Sequence, residues 1–173
     1  KLLTGARSRI AFKSVNEFGK GADIEGRIVD NQGQTVGRFE SFHKGMGAFD
    51  LKASPDESYY AVIEKPAGHS ELLQLPAADG SGFALRLESA RKDSTNWTIH
   101  ATDADTATLV GHIRGNIIYE GTFALHRGSN PVSIATRNCP RGVAVFTLFD
   151  QAGVPHSERL VFLGESNGLQ VSI

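Results

Sequence analysis

The chain has 173 residues, of which 40% are hydrophobic and 21% are charged, with one cysteine and a formal net charge of −1. This composition is typical of a folded globular protein rather than a disordered one. Acidic and basic residues are balanced in both halves, so there is no basic excess to bind nucleic acid, and nucleic acid is not expected as a partner. A single cysteine excludes an intrachain disulfide.

Apolar residues follow the two-residue period of β-strands along the chain. Near the start, for example, Ile10 and Phe12 fall on one face of an alternating run. The one stretch long enough for a helix, 93–109, contains five threonines, which are poor helix formers. Further strands are predicted at 48–52, 59–64, 83–88, 96–101, 108–113, 116–119, 121–125, 132–135, 143–149, 159–163 and 169–173. Short strands with frequent turns are typical of antiparallel β-sandwiches, so the sequence predicts an all-β fold.

Two turns share the pattern Asp-x-x-Gly between β-rich runs, one from Asp30 to Gly33 and the other from Asp150 to Gly153. Aspartate at the first turn position can accept a hydrogen bond from the backbone two residues on. Glycine at the fourth position tolerates a positive φ. The pattern predicts two β-hairpins in which Gly33 and Gly153 have positive φ.

Two charged residues, Glu158 and Arg159, are adjacent on the strand predicted after the second turn. Leu160 and Phe162 share a face with Glu158, whereas Val161 shares the other face with Arg159. Strict alternation therefore places one charge on each face. Because a lone buried charge is costly, we expect one of the two to be partly buried and paired, unless both are solvated at the start of the strand.

The polar segment 89–93 has no large apolar residue and is the predicted boundary between two domains. The first domain is predicted at 1–90 and the second at 91–173, each of a size that can bury a modest core. In this interpretation the strand 83–88 closes the first domain and the strand 96–101 opens the second. The predicted fold class is therefore two tandem antiparallel β-sandwich domains.

No residue pattern predicts a catalytic, cofactor-binding or metal-binding site, and the chain is not expected to be an enzyme. Cys139 is interpreted as a small buried or half-buried hydrophobe rather than a nucleophile. The run Gly45-Met46-Gly47 leads into a strand rather than a helix, which favours a hairpin or bulge over a phosphate-binding loop. The six histidines lack the spacing of zinc sites, although His100 and His112 could meet if their strands pair.

Four aromatic residues offer an alternative function. Tyr59, Tyr60, Trp97 and Tyr119 could form a platform for stacking sugars, as in a carbohydrate-binding module of a glycan-uptake system, although strand aromatics more often belong to the core. An exposed coplanar aromatic pair would favour sugar binding. An exposed apolar patch or a long edge strand would favour protein contacts.

Two segments carry a resemblance to a known family. The first combines 26–30, 43–49 and the strand Tyr59-Tyr60-Ala61-Val62, and it resembles a macroglobulin-type domain of alpha-macroglobulins and complement proteins. The second, 139–150 with 155–162, resembles the tandem macroglobulin-like domains of large exported proteins of Gram-negative envelopes. The reactive Cys-x-Glu-Gln motif of true alpha-macroglobulins is not present, because Pro140-Arg141-Gly142 follows Cys139.

The resemblance implies a pair of immunoglobulin-like or macroglobulin-like β-sandwich domains without cofactors. Such a pair would be a structural or protein-interaction module of a longer exported envelope protein. Its expected partners are neighbouring domains of the same chain and a protein of the envelope. The expected location is periplasmic or at the cell surface, provided that the full-length chain carries a signal peptide. No stretch approaches the roughly 20 apolar residues of a membrane span, so no span is expected within this fragment.

Overall fold

In a computed structural model, the described residues are 2–164, and they form thirteen β-strands and no helix. All pairs of named strands are antiparallel, which confirms the all-β class predicted from the sequence. The predicted strand 169–173 lies outside the described residues. A helix long and apolar enough to cross a membrane does not occur in the described part of the chain. The chain divides into two compact units, Lys1–Ser81 and Gly82–Ile173.

The first unit is built from six strands that form one curled sheet. The strands are β1 (Arg7–Lys13), β2 (Glu25–Val29), β3 (Thr35–His43), β4 (Met46–Lys52), β5 (Tyr60–Lys65) and β6 (Leu72–Gln74). Their order in the sheet is β1-β4-β3-β2-β5-β6. Phe12 of β1 and Phe39 of β3 lie two strands apart, about 10 Å in a flat sheet, yet their ring centroids are separated by only 5.2 Å. The sheet therefore curls around its inner face, where Ile28, Phe39 and Leu51 are buried.

The second unit is a sandwich of two antiparallel sheets. Its strands are β7 (Phe83–Ala90), β8 (Ser94–Ala101), β9 (Asp105–Ile113), β10 (Asn116–Leu125), β11 (Gly128–Ala135), β12 (Gly142–Phe149) and β13 (Pro155–Leu163). One sheet has the order β11-β8-β7 and the other β10-β9-β12-β13. Trp97 of the first sheet packs against Phe146 of the second with ring centroids 4.8 Å apart, and its indole N–H donates to Thr95 Oγ1 at 2.8 Å. This arrangement is an immunoglobulin-like β-sandwich.

The two Asp-x-x-Gly turns have the same hydrogen bonds. Oδ1 of Asp30 accepts bonds from the N–H groups two and four residues on, at 3.0 and 2.8 Å. Oδ1 of Asp150 accepts the equivalent bonds at 2.9 and 2.8 Å. Gly33 and Gly153 have φ values of +79° and +77°. Both predicted hairpins, and the positive φ of both glycines, are confirmed.

The structure corrects the position of the predicted boundary, which lies between Ser81 and Gly82 rather than after residue 90. Strand β7 pairs along its length with β8 and therefore belongs to the second unit. It is also bonded to the opposite sheet, because the N–H of Leu85 donates to Ser157 Oγ on β13 at 3.2 Å. The polar residues near 91–93 form the turn between β7 and β8. Whether each unit folds alone stays a prediction.

Candidate functional site

Cys139 lies half-buried against the core of the second unit. Burial raises the pKa of its thiol, which favours the protonated form. A protonated thiol is a poor nucleophile at neutral pH. The structure thus agrees with the interpretation of Cys139 as a small hydrophobe.

His100 and His112 do not meet. His100 lies on β8 of the three-stranded sheet, whereas His112 lies on β9 of the four-stranded sheet. Their sequence neighbours Ile99 and Ile113 are buried in the core, so strand alternation places both histidines on outer faces, on opposite sides of the sandwich. The idea that they meet across paired strands is therefore wrong. Within residues 2–164, no three His, Cys, Asp or Glu side chains are grouped to hold a metal ion.

Gly45-Met46-Gly47 belongs to a hairpin, as the sequence predicted. Lys44 and Gly45 form a two-residue loop between β3 and β4, with φ values of +47° and +76°. Positive φ at both positions is the geometry of a type I′ turn. Gly47 lies within β4, where a Cβ would collide with the ring of Phe12.

The proposed aromatic platform does not form. Trp97 is only 1% exposed and Tyr59 is a core residue whose hydroxyl accepts the N–H of Ser54 at 2.9 Å. Tyr119 is half-buried and packs against Phe146, with ring centroids 6.4 Å apart. These three rings face the protein interior, so they do not present the exposed coplanar pair that stacking on a sugar requires.

A set of apolar side chains lies on part of the outer surface of the four-stranded sheet instead. We call this surface the apolar face and define it by five residues: Ile117, Val143, Val145, Leu160 and Phe162. Val143 lies opposite Phe162 and Val145 lies opposite Leu160 in the pairing of β12 with β13. His112 lies between Val145 and Ile117 on the two neighbouring strands. The apolar face therefore has side chains on β10, β12 and β13, and the half-buried His112 of β9 lies between Ile117 and the other four residues.

Four of the five side chains of the apolar face are strongly exposed, at 65% for Ile117, 51% for Val143, 65% for Leu160 and 48% for Phe162, whereas Val145 is half-buried. The guanidinium carbon of Arg141 lies 5.7 Å from the centroid of the Phe162 ring and borders the face on one side. In the middle, Nδ1 of His112 is buried and has no hydrogen-bond partner. The sequence carries a signal for this surface, since residues 143–146 are all apolar and do not alternate with polar residues.

The two charged side chains of β13 lie on opposite faces of the strand. Glu158 is exposed and accepts a bond from Thr147 Oγ1 at 3.1 Å. Arg159 is half-buried on the core side, and burial lowers its pKa. Its guanidinium donates to the main-chain carbonyl of Glu158 at 2.7 Å. Partial burial of one charge is thus confirmed, with a main-chain oxygen as its partner rather than a carboxylate.

A second feature lies in the first unit, where a groove of about 500 Å³ runs between β1 and β6. We call it the edge groove, because β1 and β6 are the two edge strands of the curled sheet. Its walls and floor are mainly apolar and include Ile10, Phe12, Phe39, Phe49, Ile63 and Leu73. No single segment of sequence contains this groove, since its two walls are about 60 residues apart.

No protein-family model and no curated protein matches the sequence. Several solved structures are similar at low identity. A BSP domain of a biofilm-associated protein has a TM-score of 0.42 at 15% identity, over 96% of this chain and 29% of that one. A DUF4785-family protein from Legionella pneumophila has a TM-score of 0.35 at 14% identity, over 94% and 53%. Salmonella alpha-2-macroglobulin has a TM-score of 0.31 at 11% identity, over 94% and 14%.

This chain thus spans about half of the Legionella protein, less than a third of the biofilm-associated protein and a small part of the alpha-2-macroglobulin. Similarity at these identities and TM-scores carries no argument about function. The surfaces of the molecule itself indicate its function more directly.

Proposed function

We propose that this protein is a non-catalytic module that binds another protein through the apolar face. The observation that carries the proposal is the adjoining set of apolar side chains on β12 and β13, with the exposed Ile117 of β10 on the far side of His112. Single exposed apolar residues are common on protein surfaces, whereas contiguous ones mark interaction sites. The partner would present a flat apolar surface of its own.

The geometry of the apolar face suits a protein rather than a sugar. Its residues are mainly aliphatic and lie on hydrogen-bonded strands of one sheet, which holds their backbones in place. Leu160 and Phe162 lie on β13, an edge strand of the four-stranded sheet, where a partner can approach from the side as well as from above. The carbohydrate-binding alternative is not proposed, because Tyr59, Trp97 and Tyr119 face inward.

We further propose that the chain acts as part of a longer exported protein of the cell envelope. The support is the sequence resemblance to macroglobulin-like domains of such proteins. The periplasmic or cell-surface location, the neighbouring domains and the envelope partner stay predictions.

Site-specific photo-crosslinking in the cells that produce the protein tests the apolar face. A photoreactive phenylalanine analogue replaces Leu160 in one version and Ser133 in the control. Ser133 is exposed in the same unit, on a strand of the other sheet. We expect a discrete protein adduct from position 160 and none from position 133.

A second version tests whether the adduct depends on the apolar face. Replacing Ile117 and Val143 by serine in the Leu160 version should weaken binding by about tenfold, equivalent to about 1.4 kcal/mol, and remove most of the adduct. These side chains are exposed, so the fold should tolerate both changes. Equal adducts from positions 160 and 133, or an adduct that the serine substitutions leave unchanged, would contradict the proposal.

A further inference from the structure

The edge groove lies between two strands that each have a free edge. Strand β1 pairs only with β4, and β6 pairs only with β5, among the strands that the structure describes. Residues of β1 and residues of β6 line the same groove, so the two free edges border one opening. A free sheet edge is a template for pairing with another extended chain.

The floor of the edge groove consists of core side chains of the first unit that are only partly covered by other residues. Phe12, Phe39 and Phe49 form a ring cluster with centroids 5.2 to 6.4 Å apart. Phe39 is buried, but Phe12 and Phe49 are only half-buried. Leu73 lies opposite the half-buried Ala61, on the inner side of β6, and is 46% exposed. In the second unit, by contrast, the inner faces of both sheets cover each other.

The main-chain groups of β1 show which of its residues face the opening. The N–H of Ser14 donates to the carbonyl of Gly45 at 2.8 Å. This bond shows which residues of β1 direct their N–H and C=O groups towards β4. Since antiparallel pairs alternate, the even-numbered residues of β1 bond to β4. The N–H and C=O groups of Arg9, Ala11 and Lys13 therefore point to the free edge. None of these groups pairs with another strand in the described part of the chain, so an incoming strand would find unpaired backbone there.

The side chains of the same three positions make the solvent side of this edge basic. Arg9, Ala11 and Lys13 are exposed, on the face opposite Ile10 and Phe12. Neither Arg9 nor Lys13 forms an ion pair within residues 2–164, whereas Arg7 lies 3.5 Å from Asp50. Side chains directly opposite on paired strands interact, and opposite charges stabilise the pair.

We propose that the edge groove binds an extended segment of another protein that alternates apolar with acidic residues. The apolar side chains of the segment would cover the phenylalanine cluster, and its acidic side chains would lie beside Arg9 and Lys13. The segment would run antiparallel to β1, the longer of the two edges and the one with the stronger pairing geometry. This is strand addition, in which backbone bonds give affinity and alternate side chains give specificity.

The strand directions agree with such an insertion. Each strand is antiparallel to its neighbour in the order β1-β4-β3-β2-β5-β6. The direction therefore reverses five times, and β1 and β6 are antiparallel to each other. A strand inserted antiparallel to β1 is then parallel to β6, which has only three residues. The added strand is therefore held mainly by β1. The proposal is independent of the apolar face, which belongs to the other unit.

The probe is a synthetic peptide of about nine residues with alternating valine and glutamate, slightly longer than the seven residues of β1. Its control has lysine in place of glutamate. Both carry a fluorescent label and are titrated with the full chain at low salt, with fluorescence anisotropy as the readout. We expect the glutamate peptide to bind at least about tenfold more tightly than the lysine peptide, because ion pairs form only with the former.

Two substitutions on β1 separate strand addition from simple adsorption. Ala11→Pro removes an N–H that faces the groove and not one that bonds to β4, a change that edge strands tolerate. Ala11→Ser keeps the N–H and is the matched control. We expect Ala11→Pro to lower the affinity for the glutamate peptide by about tenfold or more, and Ala11→Ser and Leu160→Ser to leave it unchanged.

Amide hydrogen exchange reports the bonds themselves. The amides of Arg9, Ala11 and Lys13 should exchange quickly in the free chain and become protected when the peptide is bound. Failure of the glutamate peptide to bind, binding without protection of these amides, or binding that Ala11→Pro does not change would overturn the proposal. Uptake of a fluorescent fatty acid that the peptide does not displace would assign the groove to a lipid chain and overturn it equally.

Discussion

Asp150 and Asp30 occupy equivalent positions in twin turns, but Asp150 also has a histidine beside it. Oδ2 of Asp150 lies 3.0 Å from Nε2 of His156, while Oδ1 accepts the two turn bonds. The bond from the N–H of Val154 is the main cause that lowers the pKa of Asp150, and the bond to His156 is the second. At the scale of single residues, the carboxylate of Asp150 thus both stabilises its own turn and contacts His156 at the start of β13.

The lowered pKa of Asp150 predicts a pH dependence of stability. Because the folded state binds the proton less tightly than the unfolded state, the carboxylate stabilises the fold above the unfolded pKa of about 3.9. This contribution is lost as the pH falls through the lower, folded pKa. Asp150→Asn keeps an Oδ1 acceptor for the turn but removes the titration. We expect its free energy of unfolding to rise less steeply than that of the wild type between pH 2 and 5, in urea titrations; equal slopes would contradict this assignment.

The positive φ of Gly153 predicts a strain cost for any other residue. Open space surrounds the position, so in Gly153→Ala the added methyl group meets no atom and only the backbone conformation is penalised. We expect a loss of about 1 kcal/mol in the free energy of unfolding. Gly80→Ala is the control, since Gly80 is equally open but lacks a positive φ. A similar, small effect at both positions would show that the turn is not strained.

At the scale of strands, local signals were predictable and pairing partners were not. The Asp-x-x-Gly turns are predictable because the hydrogen bonds that their aspartates accept from the turn backbone join residues two and four positions apart. Strand β7 was recognised, but it was assigned to the wrong unit. A hairpin turn and a linker between domains are both polar and free of large apolar residues. The composition of 89–93 therefore does not show which of the two it is. The pairing of β7 with β8 decides the matter.

Strand β13 also shows that a local sequence pattern does not identify which face of a strand is buried. Alternation correctly separated Glu158 from Arg159, but it could not say which face was the core. Val161 and Leu163 are buried beside Arg159, whereas Leu160 and Phe162 face solvent. The outer pair contains a phenylalanine and a leucine and the buried pair a valine and a leucine, which is not what residue size alone would predict. This inversion is what creates the apolar face.

Arg159 is half-buried and has no carboxylate partner among residues 2–164, which predicts that its charge does not stabilise the fold. Arg159→Met keeps an apolar stem of similar length and removes a charge whose burial is costly. We expect Arg159→Met to be as stable as the wild type or more stable in urea titration. Arg159→Ala also loses the packing of the stem and should be destabilised by about 1 kcal/mol or more. If Arg159→Met lost as much stability as Arg159→Ala, the charge itself would be stabilising.

At the scale of the whole molecule, the two surfaces with proposed roles each belong to one unit. The apolar face could have been suspected from the uninterrupted apolar run in β12 and the outward pair on β13. The edge groove could not have been predicted from the sequence, because it exists only where the first and last strands of a curled sheet approach each other. Both proposals assume that the division at Ser81 and Gly82 separates two structures that are each complete.

Urea unfolding of three fragments, 1–81, 82–173 and 91–173, tests this division most directly. Fragment 91–173 lacks β7, so it loses the pairing with β8 and the buried side chains of Phe83 and Leu85. Burial of these two side chains contributes about 1.5–3 kcal/mol each, a large share of a typical stability of about 5–15 kcal/mol. We predict cooperative unfolding and β-type circular dichroism for 1–81 and 82–173, and a largely unfolded 91–173. A fragment 91–173 as stable as 82–173, or an unfolded 82–173, would contradict the structure of the second unit described here.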